Sequence, residues 1–205
     1  MIENFLRPPA AVGEIIADVL RIVGVLGIVV AGVGWSLTDA GILAFVLPGL
    51  LVPRFLGVRS GFDIVYVASL LVAGWSNVLD LYTTVDWWDV PVHFVCTGVV
   101  SAAAYLLLAE LGIVAPPRAA GVRVIAPVVL TAVIGLAMSA VWEMVEWFGR
   151  TFITAQIFVS YDDTIGDMTT GGLGAIVAGL VLARVRLLRA PTEARVRMPA
   201  SILRG

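Results

Sequence analysis

The chain has 205 residues, of which 60% are hydrophobic and 14% charged, with a formal net charge of −2 and a mean hydropathy of +1.02. Soluble domains have an apolar share nearer one half, so this composition excludes an ordinary soluble protein and indicates an integral membrane protein. A single cysteine, Cys96, allows no disulfide within the chain, and cysteine usage therefore says nothing about the compartment.

Six apolar runs of about 20 residues recur along the chain, each long enough to cross roughly 30 Å of hydrocarbon as a helix. They fall at about 19–37, 40–57, 62–83, 90–112, 122–147 and 164–187. Residues 1–18, which include Glu14 and Asp18, are expected to form an interfacial lead-in, and residues 188–205 a basic cytoplasmic tail. The sequence therefore predicts an all-α, polytopic membrane protein: one transmembrane domain over 1–205, built as a six-helix bundle.

All thirteen basic residues are arginines, and they are unevenly divided between the two sides of the predicted bundle. Nearly all precede the first span, lie in alternate loops or follow the last span, and the other loops hold only Arg150. The positive-inside rule then places both termini in the cytoplasm. Arg21, near the cytoplasmic end of the first span, is expected to snorkel to the interface. The basic tail is typical of a segment beside anionic membrane lipid and does not indicate a nucleic-acid partner.

Acidic residues and the single histidine fall at the outer ends of three spans. Two open the fourth span, two close the fifth and two open the sixth: Asp89 with His93, Glu143 with Glu146, and Asp163 with Asp167. Residues three or four apart share one face of a helix, so each pair aims two polar groups in one direction. The topology therefore predicts that all three pairs meet at one depth.

Five carboxylates at a partly dry interface repel one another by about 4 kcal/mol per close pair at an effective dielectric near 20. Either bound protons or divalent cations must offset this charge. Paired carboxylates with histidine on facing helices are an established way to hold two metals in a helix bundle. The pattern predicts a site for one or two divalent ions at the six residues; oxygen ligands favour Mn, Mg or Ca, and His93 is compatible with Zn or Fe.

Four further residues are expected to support this site. Asn77 and Asp80 lie three apart near the outer end of the third span, with Thr84 on the same stripe. Thr170 continues the acidic stripe of the sixth span, and Arg150 is an isolated positive charge that cannot neutralise five acids.

Three segments of the chain resemble a known family: WWDVPVHFVCTGVV, SAVWEMVEW and YDDTIGDMTTGGLGA. Their pattern, with Asp and His opening one helix, E-x-x-E-W ending the next and D-T-x-x-D-M opening the last, resembles the bacterial inner-membrane family typified by YjdF. More distantly it is similar to the VanZ family linked to teicoplanin resistance, except that Thr170 stands where that family has Asn. The likeness covers about residues 80–178.

The resemblance implies a site at the same six positions and a location in the bacterial cytoplasmic membrane, but it implies no particular reaction. We interpret the site as that of a metal-dependent hydrolase or transferase acting on a lipid or lipid-linked envelope substrate. Asp89, His93 and Glu146 are the candidate catalytic groups, because a free carboxylate or imidazole beside the metal transfers the proton.

Two alternatives stay open. One is a small proton- or ion-coupled transporter, although the sequence shows no inverted repeat and no comparable polar path to the cytoplasmic side. The other is a non-catalytic membrane scaffold or metal sensor. The sequence does not determine the substrate or the oligomeric state.

Overall fold

The computed structural model describes residues 1–155, 157 and 159–189, and over this part the chain is all-helical. In chain order the helices are α1 (Ile2–Leu6), α2 (Val12–Gly34), α3 (Leu37–Leu56), α4 (Ser60–Val78), α5 (Leu81–Thr84), α6 (Asp89–Glu110), α7 (Ile125–Phe152) and α8 (Tyr161–Arg184). Within the described ranges, six of them (α2, α3, α4, α6, α7 and α8) are long and apolar enough to cross a membrane. The predicted six-helix transmembrane bundle of the all-α class is confirmed.

The start of the bundle differs from the expected interfacial lead-in. α2 begins at Val12, so Glu14 and Asp18 belong to the spanning helix itself, and only the short α1 precedes it. Helix α3 runs through Pro48 and Pro53 and ends at Gly57, whose φ of 70° closes the helix in the left-handed conformation that glycine adopts readily. The other helix ends lie within about three residues of the predicted boundaries, except that α4 ends five residues earlier and α7 five residues later than predicted.

Successive spanning helices alternate in direction, which gives the bundle two ends. We call the end that holds the start of α6, the end of α7 and the start of α8 the histidine end, and the opposite one the arginine end. The helices form two sets of three: α2, α3 and α4 pack on one another, as do α6, α7 and α8. The sets meet in an apolar core, to which the first set contributes Leu50, Val67 and Leu71 and the second contributes Tyr105, Leu106 and Leu182.

Buried charges at the arginine end are fully paired. Arg21 is 7% exposed, forms an ion pair with Asp63, and donates to Asp18 and to the Leu50 carbonyl, both at 2.9 Å. Arg54 donates to the same Asp18 at 2.7 Å. Two arginines thus neutralise two aspartates inside the bundle. The expectation that Arg21 snorkels outward is wrong, because its partners lie in the interior.

The chain beyond α8 returns to this end of the bundle. Leu188 pairs with Val58 in an antiparallel bridge, and Arg189 donates to the Gly57 carbonyl and, at 2.9 Å, to Glu14. The first residues of the predicted basic tail are therefore anchored on the turn after α3. The remainder of that tail, residues 190–205, lies outside the described residues.

Glycines set the close approach of α8 to its neighbours. A Cβ atom built on Gly174 would overlap the backbone carbonyl of Phe94 in α6, and one on Gly98 would lie 2.9 Å from the Gly174 oxygen. Such backbone-to-backbone packing is the usual way in which membrane helices associate. It fixes the distance between α6 and α8, and with it the spacing of the polar groups above.

Gly174→Ala is expected to destabilise the protein by about 1–3 kcal/mol, because the added methyl group must push two helix backbones apart. Gly166→Ala on the same helix is the matched control, since a Cβ there meets nothing within 4 Å, and alanine should raise helix stability slightly. Thermal unfolding in detergent measures both. Equal melting temperatures for the two variants would contradict the packing account.

Candidate metal centre

The first part of the site joins α6 to α8. Asp89 is the first residue of α6 and His93 lies one turn later, so both point to the same side. His93 Nε2 lies 3.1 Å from Asp89 Oδ1 and 3.7 Å from Asp167 Oδ2 of α8. His93 and Asp167 are buried and Asp89 is half-buried. These three residues meet at one depth, as the topology predicts.

The second part comes from the end of α7. Glu143 is 7% exposed, and no hydrogen bond of normal geometry reaches either of its carboxylate oxygens, although the Thr164 hydroxyl lies close by. Glu146, one turn later and half-buried, accepts a hydrogen bond of 2.9 Å from Trp142 Nε1. A buried carboxylate without a partner is costly, because it has lost its hydration without gaining a replacement.

The five side chains form two groups that share one member. Asp89, His93 and Asp167 make one group, Glu143, Glu146 and Asp167 the other, and within each group the ligand atoms lie within 4.8 Å of one another. That separation allows one cation to contact a whole group. The donor set, four carboxylates and one imidazole, matches the ligands of Mn, Mg, Ca, Zn and Fe, and the orphaned oxygens of Glu143 offer vacant ligand positions.

Among the described residues His93 is the only basic group within this cluster, so its four carboxylates are not fully offset, in contrast to the arginine end. Arg150, the one basic residue predicted nearby, is exposed, and its guanidinium donates to the Ile157 carbonyl. In the described part of the chain no arginine lines the cavity beside the cluster.

A cavity of about 70 Å³ opens beside the carboxylates, enough for a few water molecules or a small ion with its hydration. Its lining comes from all spanning helices except α2, from α5 and from the segment before α8, and includes Thr38, Asp39, Ile42, Asn77, Asp80, Tyr82, Asp89, Glu146, Ile157, Asp163 and Asp167. The contribution of α3 was not predicted. Asp39, one of the lining residues, lies in the first turn of α3.

Comparison with known proteins adds a family to this geometry. Residues 16–187 match the family described as "Predicted membrane protein (DUF2238)". The chain belongs to this family. DUF2238 is the YjdF-like family, so the main resemblance in the sequence is confirmed, while the likeness to VanZ stays a prediction. Neither a curated protein nor a solved structure matches the chain.

In this DUF2238 protein the third predicted span is shorter than expected, which changes the place of Asp80. Helix α4 ends at Val78, and Asp80 adopts a left-handed conformation with φ of 54° before α5 begins. The single helical stripe predicted for Asn77, Asp80 and Thr84 is therefore wrong. Asn77 and Asp80 still line the cavity, but the Thr84 hydroxyl turns back to the Asp80 carbonyl at 2.8 Å.

Two other predicted residues lie at the margin of the site. Asp163 lines the cavity but belongs to neither group of ligands, and its backbone N–H donates to Ser160 Oγ at 3.2 Å, capping α8. Thr170 is half-buried one turn below Asp167 and does not line the cavity.

Sequence reasoning missed two side chains of the site. Trp142 donates its indole N–H to Glu146, and its position four residues before that carboxylate was the available signal. Tyr82 lines the cavity from α5 and donates to the Ala73 carbonyl at 3.2 Å, and burial raises the pKa of its phenol. Tyr82 thus remains a hydrogen-bond donor at neutral pH.

Proposed function

We propose that this DUF2238 protein is a divalent-metal-dependent membrane hydrolase or transferase that acts on a phosphate ester, or a similar group, of a lipid or lipid-linked envelope intermediate. The observation that carries the proposal is the buried, unpartnered carboxylate of Glu143 among three further carboxylates. An uncompensated charge in a membrane is costly. The same chain pairs its buried aspartates with arginines at the other end, so the missing cation at the histidine end is best supplied from solution.

Asp167 is the ligand common to both groups and would bridge two ions or complete the shell of one. His93 Nε2 faces Asp89 and Asp167, and a single nitrogen cannot donate a proton to a carboxylate and ligate a metal at once. Metal binding therefore displaces a proton from this nitrogen, whereas without metal the imidazolium offsets part of the carboxylate charge.

A divalent ion at this site would polarise a phosphoryl or acyl oxygen and make a bound water more acidic. Side chains of the protein transfer the proton. Glu146 is half-buried, lines the cavity and is oriented by Trp142, so it is placed to accept the proton of an attacking water or hydroxyl. His93 and Asp89 form a second proton carrier on the other side of Asp167.

The depth of the site supports a lipid substrate. His93 lies four residues and Asp167 six residues inside the first residue of its helix, about 6 Å and 9 Å along the axis. That is the depth of lipid headgroups at the border of the hydrocarbon. With the arginine end in the cytoplasm, as the positive-inside rule indicates, the site faces the outer leaflet of a bacterial cytoplasmic membrane.

One observation favours ion-coupled transport as a second candidate function. The two three-helix sets run in opposite directions, and each carries its polar cluster at the start of its first and third helices and the end of its second. Transporters are often built from inverted halves of this kind. A largely apolar core separates the two clusters, and the buried polar side chains described near it are hydroxyls such as Ser101, Thr131 and Ser139; this places transport second.

Elemental analysis of protein purified without chelator tests the proposal. We expect one or two equivalents of a divalent metal in the wild-type protein. Glu143→Gln should lose one equivalent, or bind it at least about 100-fold more weakly, because it removes a ligand of one group only. Glu110→Gln is the matched control, an exposed glutamate at the other end of the bundle.

Metal-free wild-type protein would overturn the proposal. If metal is bound, release of phosphate from phospholipids and polyprenyl phosphates is the next measurement, with Glu146→Gln expected to keep the ion held by Asp89, His93 and Asp167 and to lose turnover. Stoichiometric metal without turnover on either class would favour a metal sensor or scaffold, and metal-driven flux into proteoliposomes would favour the transporter.

A further inference from the structure

The helices α3 and α7 stand on either side of the candidate metal centre without packing along each other. Helix α3 contributes Thr38 and Ile42 to the lining of the cavity, and α7 contributes Glu146. In the described part of the chain α7 packs on α6 and α8, whereas α3 packs on α1, α2 and α4 and more weakly on α6. Residues of both helices line the cavity, and one turn deeper a single aromatic contact joins them; we call the seam between α3 and α7 beside the carboxylates the gap.

Two aromatic side chains stand at this gap. Phe45 of α3 is 62% exposed and Trp142 of α7 is 40% exposed, and their ring centroids are 6.4 Å apart. Phe45 lies one turn deeper than Ile42, and Trp142 one turn deeper than Glu146. Both rings are thus accessible from the bilayer, immediately below the polar cavity.

The size of the cavity limits what enters it. A volume of about 70 Å³ accommodates a phosphate-sized group or a few waters but no acyl or prenyl chain. The acyl or prenyl chain of a lipid whose headgroup reaches the carboxylates must therefore lie outside the cavity. One turn deeper than the cavity, the apolar rings of Phe45 and Trp142 line the gap.

We propose that the gap between α3 and α7 is a lateral entrance through which the headgroup of a phosphate-bearing lipid reaches the metal centre from the bilayer. Phe45 and Trp142 form the gate of this entrance and determine which acyl or prenyl chains fit beside it. The proposal rests on the proposed function and adds to it the route and the class of substrate.

Trp142 gives the gate a link to the site. Its indole N–H holds Glu146 at 2.9 Å while its ring contacts Phe45. A lipid chain that displaces the ring moves the group that orients Glu146. Trp142 is therefore a positioning residue that connects occupancy of the entrance to the placement of the carboxylate.

Gly41→Trp is the blocking variant. Gly41 lies four residues before Phe45 on the same side of α3, is exposed, and would have open space around a Cβ atom. A large ring there narrows the entrance without touching a ligand. Gly61→Trp is the matched control, because Gly61 is also exposed and open but lies at the arginine end in α4.

The readout is phosphorus ENDOR of Mn²⁺ bound to the protein in nanodiscs that contain phosphatidic acid, with inorganic phosphate as a water-soluble probe. In the wild type and Gly61→Trp both probes should show phosphorus close to the ion. In Gly41→Trp the lipid signal should fall about tenfold, because the added ring crowds the entrance, while the inorganic phosphate signal stays.

The outcomes separate the two proposals. Wild-type protein that binds no Mn²⁺ overturns the proposed function and the entrance with it. Bound Mn²⁺ with no lipid signal in the wild type, or with equal lipid signals in the wild type and Gly41→Trp, overturns the entrance alone. If Gly41→Trp loses Mn²⁺, Phe45→Ala decides: a wider gap should strengthen the lipid signal, and an unchanged signal overturns the entrance.

Discussion

Asp167→Asn is expected to abolish metal binding, with an affinity loss of about 1000-fold that exceeds the 10–100-fold typical of outer-shell partners. The reason is that Asp167 is the one residue present in both groups of ligands, so its replacement damages every position at which a cation fits. An amide of the same shape keeps the packing of α8 but removes the shared charge. Titration of the purified protein with Mn²⁺ and elemental analysis measure the loss.

The neighbouring aspartates provide the controls. Asp162→Asn, at an exposed position on the same helix, should leave metal binding unchanged, and Asp163→Asn, at the rim of the cavity, should weaken it less than Asp167→Asn. Without metal, Asp167→Asn should raise the melting temperature, because it relieves repulsion between close carboxylates. A lower melting temperature with full metal binding would show that Asp167 is a structural residue.

Arg21→Met is expected to lower the free energy of unfolding by about 3–5 kcal/mol, the cost of leaving a buried charge without its partner. The side chain of Arg21 holds Asp63 and Asp18 together and also donates to the Leu50 carbonyl. Methionine fills much of the same volume without the charge. The lost stability therefore measures the cost of leaving the aspartates unpaired rather than the cost of a cavity. Unfolding by SDS or by heat in detergent gives the measurement.

A double-mutant cycle separates the charge from the packing. Arg21→Met combined with Asp63→Asn should recover most of the lost stability, since removing both partners of a buried pair costs far less than removing one. Arg118→Met, at an exposed arginine, should have almost no effect. A single Arg21→Met variant that costs less than about 1 kcal/mol would mean that the pair behaves like an exposed one.

The charge of the buried carboxylates is thus compensated differently at the two ends of the molecule. At the arginine end guanidinium groups lie inside the bundle beside the carboxylates, and the network is closed. At the histidine end four carboxylates surround one imidazole, and in the described part of the chain no hydrogen bond of normal geometry reaches the Glu143 carboxylate. A protein that only needed stability would treat both ends alike, so the difference supports a binding role for the histidine end.

The sequence by itself determined the six spans and most of the polar cluster. Hydropathy fixes the spans because a bilayer has one thickness and a helix one rise per residue. Spacing of three or four residues fixes which side chains share a face, and alternation of direction fixes which helix ends lie together. Those three constraints brought Asp89, His93, Glu143, Glu146 and Asp167 together before any fold was known.

Only the tertiary structure decided what lies across from each face. The rotation of a helix about its axis and its neighbours depend on packing between distant residues, such as Gly174 against Phe94, and no local pattern encodes them. Packing placed α3 at the cavity, excluded Asp163 from the ligand groups and turned Trp142 toward Glu146. It also drew Arg21 inward, because an arginine in a membrane follows its partners, and those partners come from other helices.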